Sequence, residues 1–350
     1  GHRLQALEPR GEAWLWARAL LACAAGDAAA LDGIVEELRH STDATAYWTV
    51  RSVGGCLADF EGALRLTGAL TDPARSVEAR LLGFVAVAHL EAARGRRAAA
   101  ESALESLARL DPDQALVQRA LFAAWPVAPA GAAALRSLVG ELQRWRPAPP
   151  RAAPEPVARL LPRADLHGLH REYLLGLLAA RLGEMDQVRA RADALRAAPA
   201  PDDVAVLARE LADGLVARVD WEAGRRDRAL EALLDARRPV RFDLEPPSPL
   251  YAQCDERWAL AQWLEATGRP EEAIPWYASF LRGAVFDLPY TAPALLARAR
   301  LQEKTGCREG AGLAVARFLA ARRAADAEFA PAAAEGRALF ARLSDSTPTR

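Results

Sequence analysis

Lysine is almost missing from this chain: Lys304 is the only one, and every other basic residue is arginine. That imbalance reads as a GC-rich coding bias rather than a function. Cysteine is scarce. Cys23, Cys56, Cys254 and Cys307 lie far apart with no C-x-x-C pair, which leaves a zinc framework or a dithiol redox motif without support. Cys23 and Cys56 fall within helical patterns, where a buried free thiol is the expected state. An excess of one charge is also missing, with 45 basic residues against 46 acidic ones and a formal net charge of -1. Nothing is therefore available to neutralise a phosphate backbone, and nucleic-acid binding by this segment is not expected. No uncharged apolar run reaches the 18 residues of a membrane span. The run from Ala19 to Ala25 stops at Gly26 and reads as a helix core. No secretory signal opens the chain. It begins Gly1-His2 without an initiator Met, as a processed segment or one carrying a tag remnant does. The expected compartment is the cytoplasm, with no membrane insertion.

Catalytic signatures are missing in the same way. There is no G-x-S-x-G, no phosphate-binding loop, no H-E-x-x-H and no dinucleotide glycine set. His167 and His170 form H-x-x-H near Asp165 and Glu172, a spacing that puts two ligands on one helix face. A metal site needs further ligands, which the sequence does not offer, so these are expected to be exposed polar residues at a helix start. The expectation is a protein that is not an enzyme, with no cofactor and no metal.

What is present is length, apolar content and a recurring spacing. The chain has 350 residues, 51% of them hydrophobic. That is long for one ordinary compact domain, yet it does not divide into two unlike halves. An elongated repeat protein resolves this, because each repeat buries its apolar face only against its neighbours. The clearest unit runs from Asp255 to Leu281. Leu260, Ala261 and Leu264 precede Gly268 at helical spacing, and Ala273, Tyr277 and Phe280 follow it. The pairs Gly95/Ala100, Gly224/Ala229, Gly268/Ala273 and Gly306/Ala311 repeat one five-residue step. Gly183 with Val188 and Gly26 with Leu31 share the frame. The glycine tolerates the left-handed conformation that a helix stop needs. The small residue sits where two helices cross, where a larger side chain would cost about 1–3 kcal/mol.

This arrangement of large-small pair, glycine, alanine and aromatic resembles the tetratricopeptide repeat. The resemblance implies an all-α fold, an α-solenoid of antiparallel helical hairpins. It also departs from that family. The family period is about 34 residues, whereas Gly183 to Gly224 is 41, Gly224 to Gly268 is 44 and Gly268 to Gly306 is 38. Asp220 and Glu91 stand where the family usually has an apolar residue. The repeat length is therefore irregular. In overall style the chain also looks like the C-terminal helical arrays of large bacterial signalling proteins, including some serine/threonine kinases and winged-helix transcriptional regulators.

Prolines at 147, 149, 150, 154, 156 and 162 block helix continuation. The expected organisation is an N-terminal array over 1–146, a Pro-rich connector over 147–162, a C-terminal array over 163–343 and a frayed tail over 344–350. Two insertions, Arg241 to Tyr251 and Phe286 to Tyr290, each carry Phe-Asp-Leu and end in Tyr. Rigid loops lining a groove are one reading of them. The favoured reading is that Phe242 and Phe286 plug gaps while Tyr251 and Tyr290 staple helix starts, with Ser248-Pro249 as an N-cap pair.

The resemblance implies a concave groove, lined by the first helix of each hairpin, that takes a protein or a peptide. Helical phase nominates Tyr173, Asp213, Asp220, Arg257 and Trp263 as partner-binding residues on it. Trp263 falls on a different face from Leu260 and Leu264, and tryptophan is enriched at binding hot spots. Trp14 and Arg18 share a face of the first helix. The expected function is a non-catalytic protein- or peptide-binding scaffold, one module of a larger bacterial signalling protein. The alternative is a ligand-sensing or self-associating regulatory arm of a kinase or transcriptional regulator.

Overall fold

A computed structural model describes residues 12–53, 59–128, 130–149, 164–199, 202–235, 248–281 and 284–345. Among these residues the chain forms α-helices and short 3-10 turns, with no strand. Cys56 and Phe242 lie outside the described residues, as do the connector from residue 150 onward and the last residues of the tail. The chain divides into two compact units that do not follow its linear order. One unit joins Gly1–Ser106 to Arg269–Arg350, and the other is Leu107–Gly268.

The first unit opens with α1 (Glu12–Ala25), α2 (Ala28–Arg39), α3 (Asp43–Val53), α4 (Phe60–Gly68) and α5 (Val77–Arg94), and most of α6 (Arg97–Leu110) belongs to it. It is completed by α14 (Pro270–Ala278), α15 (Leu288–Lys304), α16 (Arg308–Ala321) and α17 (Ala330–Asp345). Helix α1 lies against both α2 and α3, and α4 against both α2 and α5. Helix α5 then packs on α15, so that residues from both ends of the sequence share one core. Leu31, Leu38, Leu66 and Leu90 lie in that core with Leu295, Phe318 and Leu339.

The second unit runs through α7 (Pro112–Ala123), α8 (Ala132–Arg144), α9 (His167–Leu182), α10 (Met185–Ala197), α11 (Asp202–Glu222), α12 (Arg226–Asp235) and α13 (Cys254–Ala266). Each helix from α7 to α13 packs on the next, and α9 also touches α7 and α11. Its core includes Leu142, Leu166, Leu174, Leu178, Val188, Leu195 and Leu211. A short 3-10 turn, Pro249–Ala252, leads into α13.

One local device recurs across both units. Gly26, Gly95, Gly183, Gly224, Gly268 and Gly306 all take φ between 65° and 82°. At five of them the amide of the following residue bonds back to the carbonyl four residues before the glycine: Asp27 to Ala22, Arg96 to Glu91, Glu184 to Ala179, Arg225 to Asp220 and Cys307 to Gln302, at 2.8–2.9 Å. That is the bonding pattern of a glycine helix stop. The residue just after the glycine then accepts the first hydrogen bond of the next helix. Its donor is the residue five after the glycine: Leu31, Ala100, Val188, Ala229, Ala273 or Ala311. All six donors are buried. A backbone rule thus fixes the stop, and the restart places a small or aliphatic side chain at the crossing.

The acids that break the family pattern have partners beside these stops. Asp220 is buried and ion-paired with Arg225 at 2.6 Å and Arg228 at 3.0 Å. Glu91 pairs with Arg94 at 3.2 Å.

Candidate functional site

Two places in the molecule concentrate side chains of functional interest, one inside the second unit and one on the surface of the first. The interior one is a cluster of charge. Tyr173 on α9, Arg218 on α11, and Asp255 and Glu256 in the first turn of α13 are all buried. The Tyr173 hydroxyl donates to Glu256 Oε1. The Arg218 guanidinium meets Asp255 Oδ2 and stands 4.0 Å from Glu256 Oε1. Arg181, from the end of α9, donates to Asp255 Oδ1 at 2.8 Å. Room for the Glu256 stem comes from Gly214 on α11, where a Cβ would stand 2.8 Å from Glu256 Cγ.

The electrostatics follow from burial. Loss of water raises the Glu256 carboxyl above its usual range, with Arg218 opposing and Asp255 reinforcing the shift. The Tyr173 hydroxyl is pushed well above 10 by burial first and by Glu256 and Asp255 next. A phenol beside an acid of raised pKa keeps its proton, so this contact is a donor–acceptor pair that ties α9 to α13.

A second polar contact sits beside it. His170 on α9 and Ser248, at the start of the 3-10 turn, are 1% and 0% exposed. His170 Nε2 lies 2.8 Å from Ser248 Oγ, and that oxygen accepts from the Leu250 amide at 3.1 Å. Burial, followed by the neighbouring His167, depresses His170 to about 3. Its ring is neutral across the physiological range. A hydroxyl against a neutral imidazole is the pairing of a nucleophile with its base, but here both are closed to solvent and the contact pins the turn onto α9. This corrects the expectation that His167 and His170 are exposed polar residues. His167 rests partly buried against Trp145, at 5.4 Å between ring centroids. Among the described residues no group of three or more His, Cys, Asp and Glu has the arrangement of a metal site.

Of the partner-binding candidates, the second unit places four inside. Tyr173 belongs to the charge cluster. Asp220 is held by its two arginines. Arg257 is buried and donates from Nε to the Ala252 carbonyl at 2.9 Å. Trp263 is buried and stacked on Trp221, with centroids 4.7 Å apart and planes 7° apart, while the Arg226 guanidinium lies 5.3 Å from the Trp221 ring centroid. Asp213 is half-buried and pairs with Arg196 at 2.7 Å. The described insertion aromatics, Tyr251, Phe286 and Tyr290, are buried as well. Phe286 meets His89 edge-on at 5.1 Å, and Tyr290 stacks on Phe280 at 5.0 Å.

The surface site gathers exposed side chains of α1 and α3, two helices that pack together. Leu15, Ala19, Ala22 and Cys23 turn α1 inward. Trp16, one residue past Leu15, is rotated roughly 100° away from it and is 46% exposed. Leu21 on the same helix is 59% exposed, and Trp48 on α3 is 42% exposed. Arg51 lies 5.1 Å from the Trp48 ring centroid, Arg18 lies 5.9 Å from that of Trp14, and Tyr47 meets Trp48 edge-on at 5.5 Å. The sequence singled out Trp14 and Arg18 but not Trp48, whose only signal is its place opposite Ala46 and Val50 on a short helix.

Together these features define an all-α, multi-helix protein with a helical repeat-like architecture. No family model matches the chain, and no curated protein matches it. Among the described residues, no helix is long and apolar enough to cross a membrane.

Proposed function

We propose that this chain is a non-catalytic scaffold of tetratricopeptide-like hairpins that binds a protein or a peptide, as one module of a larger bacterial signalling protein. The observation that carries the binding reading is the pair of exposed tryptophans, Trp16 and Trp48, on two helices that pack together. Large aromatic side chains left in water are costly, and tryptophan with arginine dominates the energetic centres of protein interfaces. The cation–π contacts of Arg18 with Trp14 and of Arg51 with Trp48 hold arginine beside a ring on each of these two helices. The repeated glycine stop with its buried fifth residue supports the hairpin reading, and the helix-to-next-helix packing of the second unit agrees with it.

Polar groups inside the second unit serve the scaffold on this reading. Tyr173, Asp220, Arg257 and Trp263 fix the helices, and partner contact falls to exposed positions such as Trp16 and Trp48. The test is site-specific photo-crosslinking from position 16 or 48 in cells. A discrete adduct with one protein supports the reading. Crosslinks no different from those placed at exposed Ala24 would count against it. Adducts only with a second copy of the chain would favour the self-associating regulatory arm instead.

A further inference from the structure

Helix α6 lacks a cap of its own. Elsewhere Asp27, Asp59, Ser76 and Asp111 precede helices and accept from the amide three residues on. Arg96 stands just before α6 and Arg97 opens it, and both side chains are donors only. The acceptor comes from 228 residues away: Asp326 Oδ2 takes the Ala98 amide at 3.3 Å. The Asp326 amide in turn donates to the Gly95 carbonyl at 2.8 Å, and Glu328 pairs with Arg97 at 2.9 Å. The end of α5 is served from the same segment. Arg322 Nη1 donates to the Ala92 carbonyl at 3.3 Å, and its guanidinium lies 4.5 Å from the Phe329 ring centroid. Gly95 admits this, since a Cβ there would stand 2.2 Å from Arg322 Nη1.

We propose that residues 322–329 form a releasable strap, which closes the first unit over the α5–α6 turn and opens as a unit ahead of the helices it joins. The arrangement has the energetics of a reversible contact. Arg322 is buried with no carboxylate at salt-bridge distance among the described residues. What offsets its desolvation is a helix C-terminus, an aromatic face and the more distant charge of Glu328, each weaker than a directly paired acid. The Arg97–Glu328 pair is partly exposed and open to screening by salt. The helices around it are held differently, by α5–α15, α15–α16 and α16–α17 contacts in the apolar core. Local opening draws on such low-stability elements.

The test is residue-resolved amide hydrogen exchange on the full chain. The Ala98 and Asp326 amides report the strap, and Leu90 and Leu295 report the core helices. In the native protein the strap amides are expected to exchange at least about tenfold faster than the core pair, and Arg322→Met or Asp326→Ala should speed the strap amides about five- to tenfold further, the loss of a helix cap, with the core pair unchanged. Equal exchange at all four positions in the native protein overturns the proposal. So does acceleration of the core amides alongside the strap. If either variant fails to fold, the native comparison, repeated at raised salt, decides: strap amides that do not speed up relative to the core contradict a screened, releasable contact.

Discussion

Tyr173 and Glu256 meet inside the second unit, the phenol donating to Oε1 while Oε2 has no hydrogen-bond partner among the described residues. One helix supplies the donor and another, far along the chain, the acceptor. Tyr173→Phe leaves a buried carboxyl oxygen without its donor, at a cost of about 1–3 kcal/mol. Urea unfolding measures it. In combination with Glu256→Gln the two costs should fall short of their sum, because the variants remove one shared contact.

The same carboxyl gives a pH dependence of known sign. Its folded pKa is raised above the ordinary 4.5 by burial. A raised folded value means its contribution to stability is full below pH 4.5 and is lost as pH climbs through the folded pKa. The stability of the native protein relative to Glu256→Gln should therefore fall between pH 4.5 and neutrality. Parallel pH profiles of the two proteins would show that Glu256 does not hold its proton in this way.

His170 works in the opposite direction. Its pKa is depressed to about 3 by burial, below the 6.5 of an ordinary imidazole. The unfolded chain takes up a proton below pH 6.5 that the folded chain refuses, so this stability is full above 6.5 and drains as pH falls toward 3. In a ring-resonance titration, His170 should stay flat from pH 8 to pH 5. A midpoint for His170 above pH 5 would contradict its burial against Ser248.

Two glycines separate backbone strain from space. A Cβ at Gly224 and a Cβ at Gly33 would each meet nothing within 4 Å, yet only Gly224 has a positive φ, at 79°. Gly224→Ala should lose about 1–2 kcal/mol through left-handed strain alone. Gly33→Ala, in the interior of α2, should gain up to about 1 kcal/mol from helix propensity. Thermal unfolding of the pair checks both, and the same sign for both would undo the helix-stop account.

That contrast also marks what the sequence could reveal. The six glycine stops were legible because a positive φ and the spacing to the next buried residue are local properties. Cys23 was legible as a buried free thiol for the same reason. Buried charge was not legible. Tyr173, Arg218 and Glu256 come from three helices, and phase within one helix does not distinguish a groove from the space between helices. Trp263 shows this plainly, since the different face it occupies from Leu260 and Leu264 is covered by Trp221. His170 was read as exposed because its partner, Ser248, lies 78 residues away. The closure of α5 on α15 had no signal at all, because helical periodicity does not reveal which distant helix covers a face. Trp48 differs again, since its exposure is visible only once Ala46 and Val50 are seen to face the core.

The central claim is that this scaffold binds a protein through the α1–α3 face, and its most direct measurement is a binding titration. The partner captured by crosslinking at position 16 or 48 would be titrated against the native chain and against the Trp16→Ala/Trp48→Ala variant, with helical content followed by circular dichroism. The account predicts unchanged helicity and an affinity lower by about 2 kcal/mol or more, roughly thirtyfold, the loss expected of hot-spot tryptophans. Equal affinity for the two proteins would contradict it.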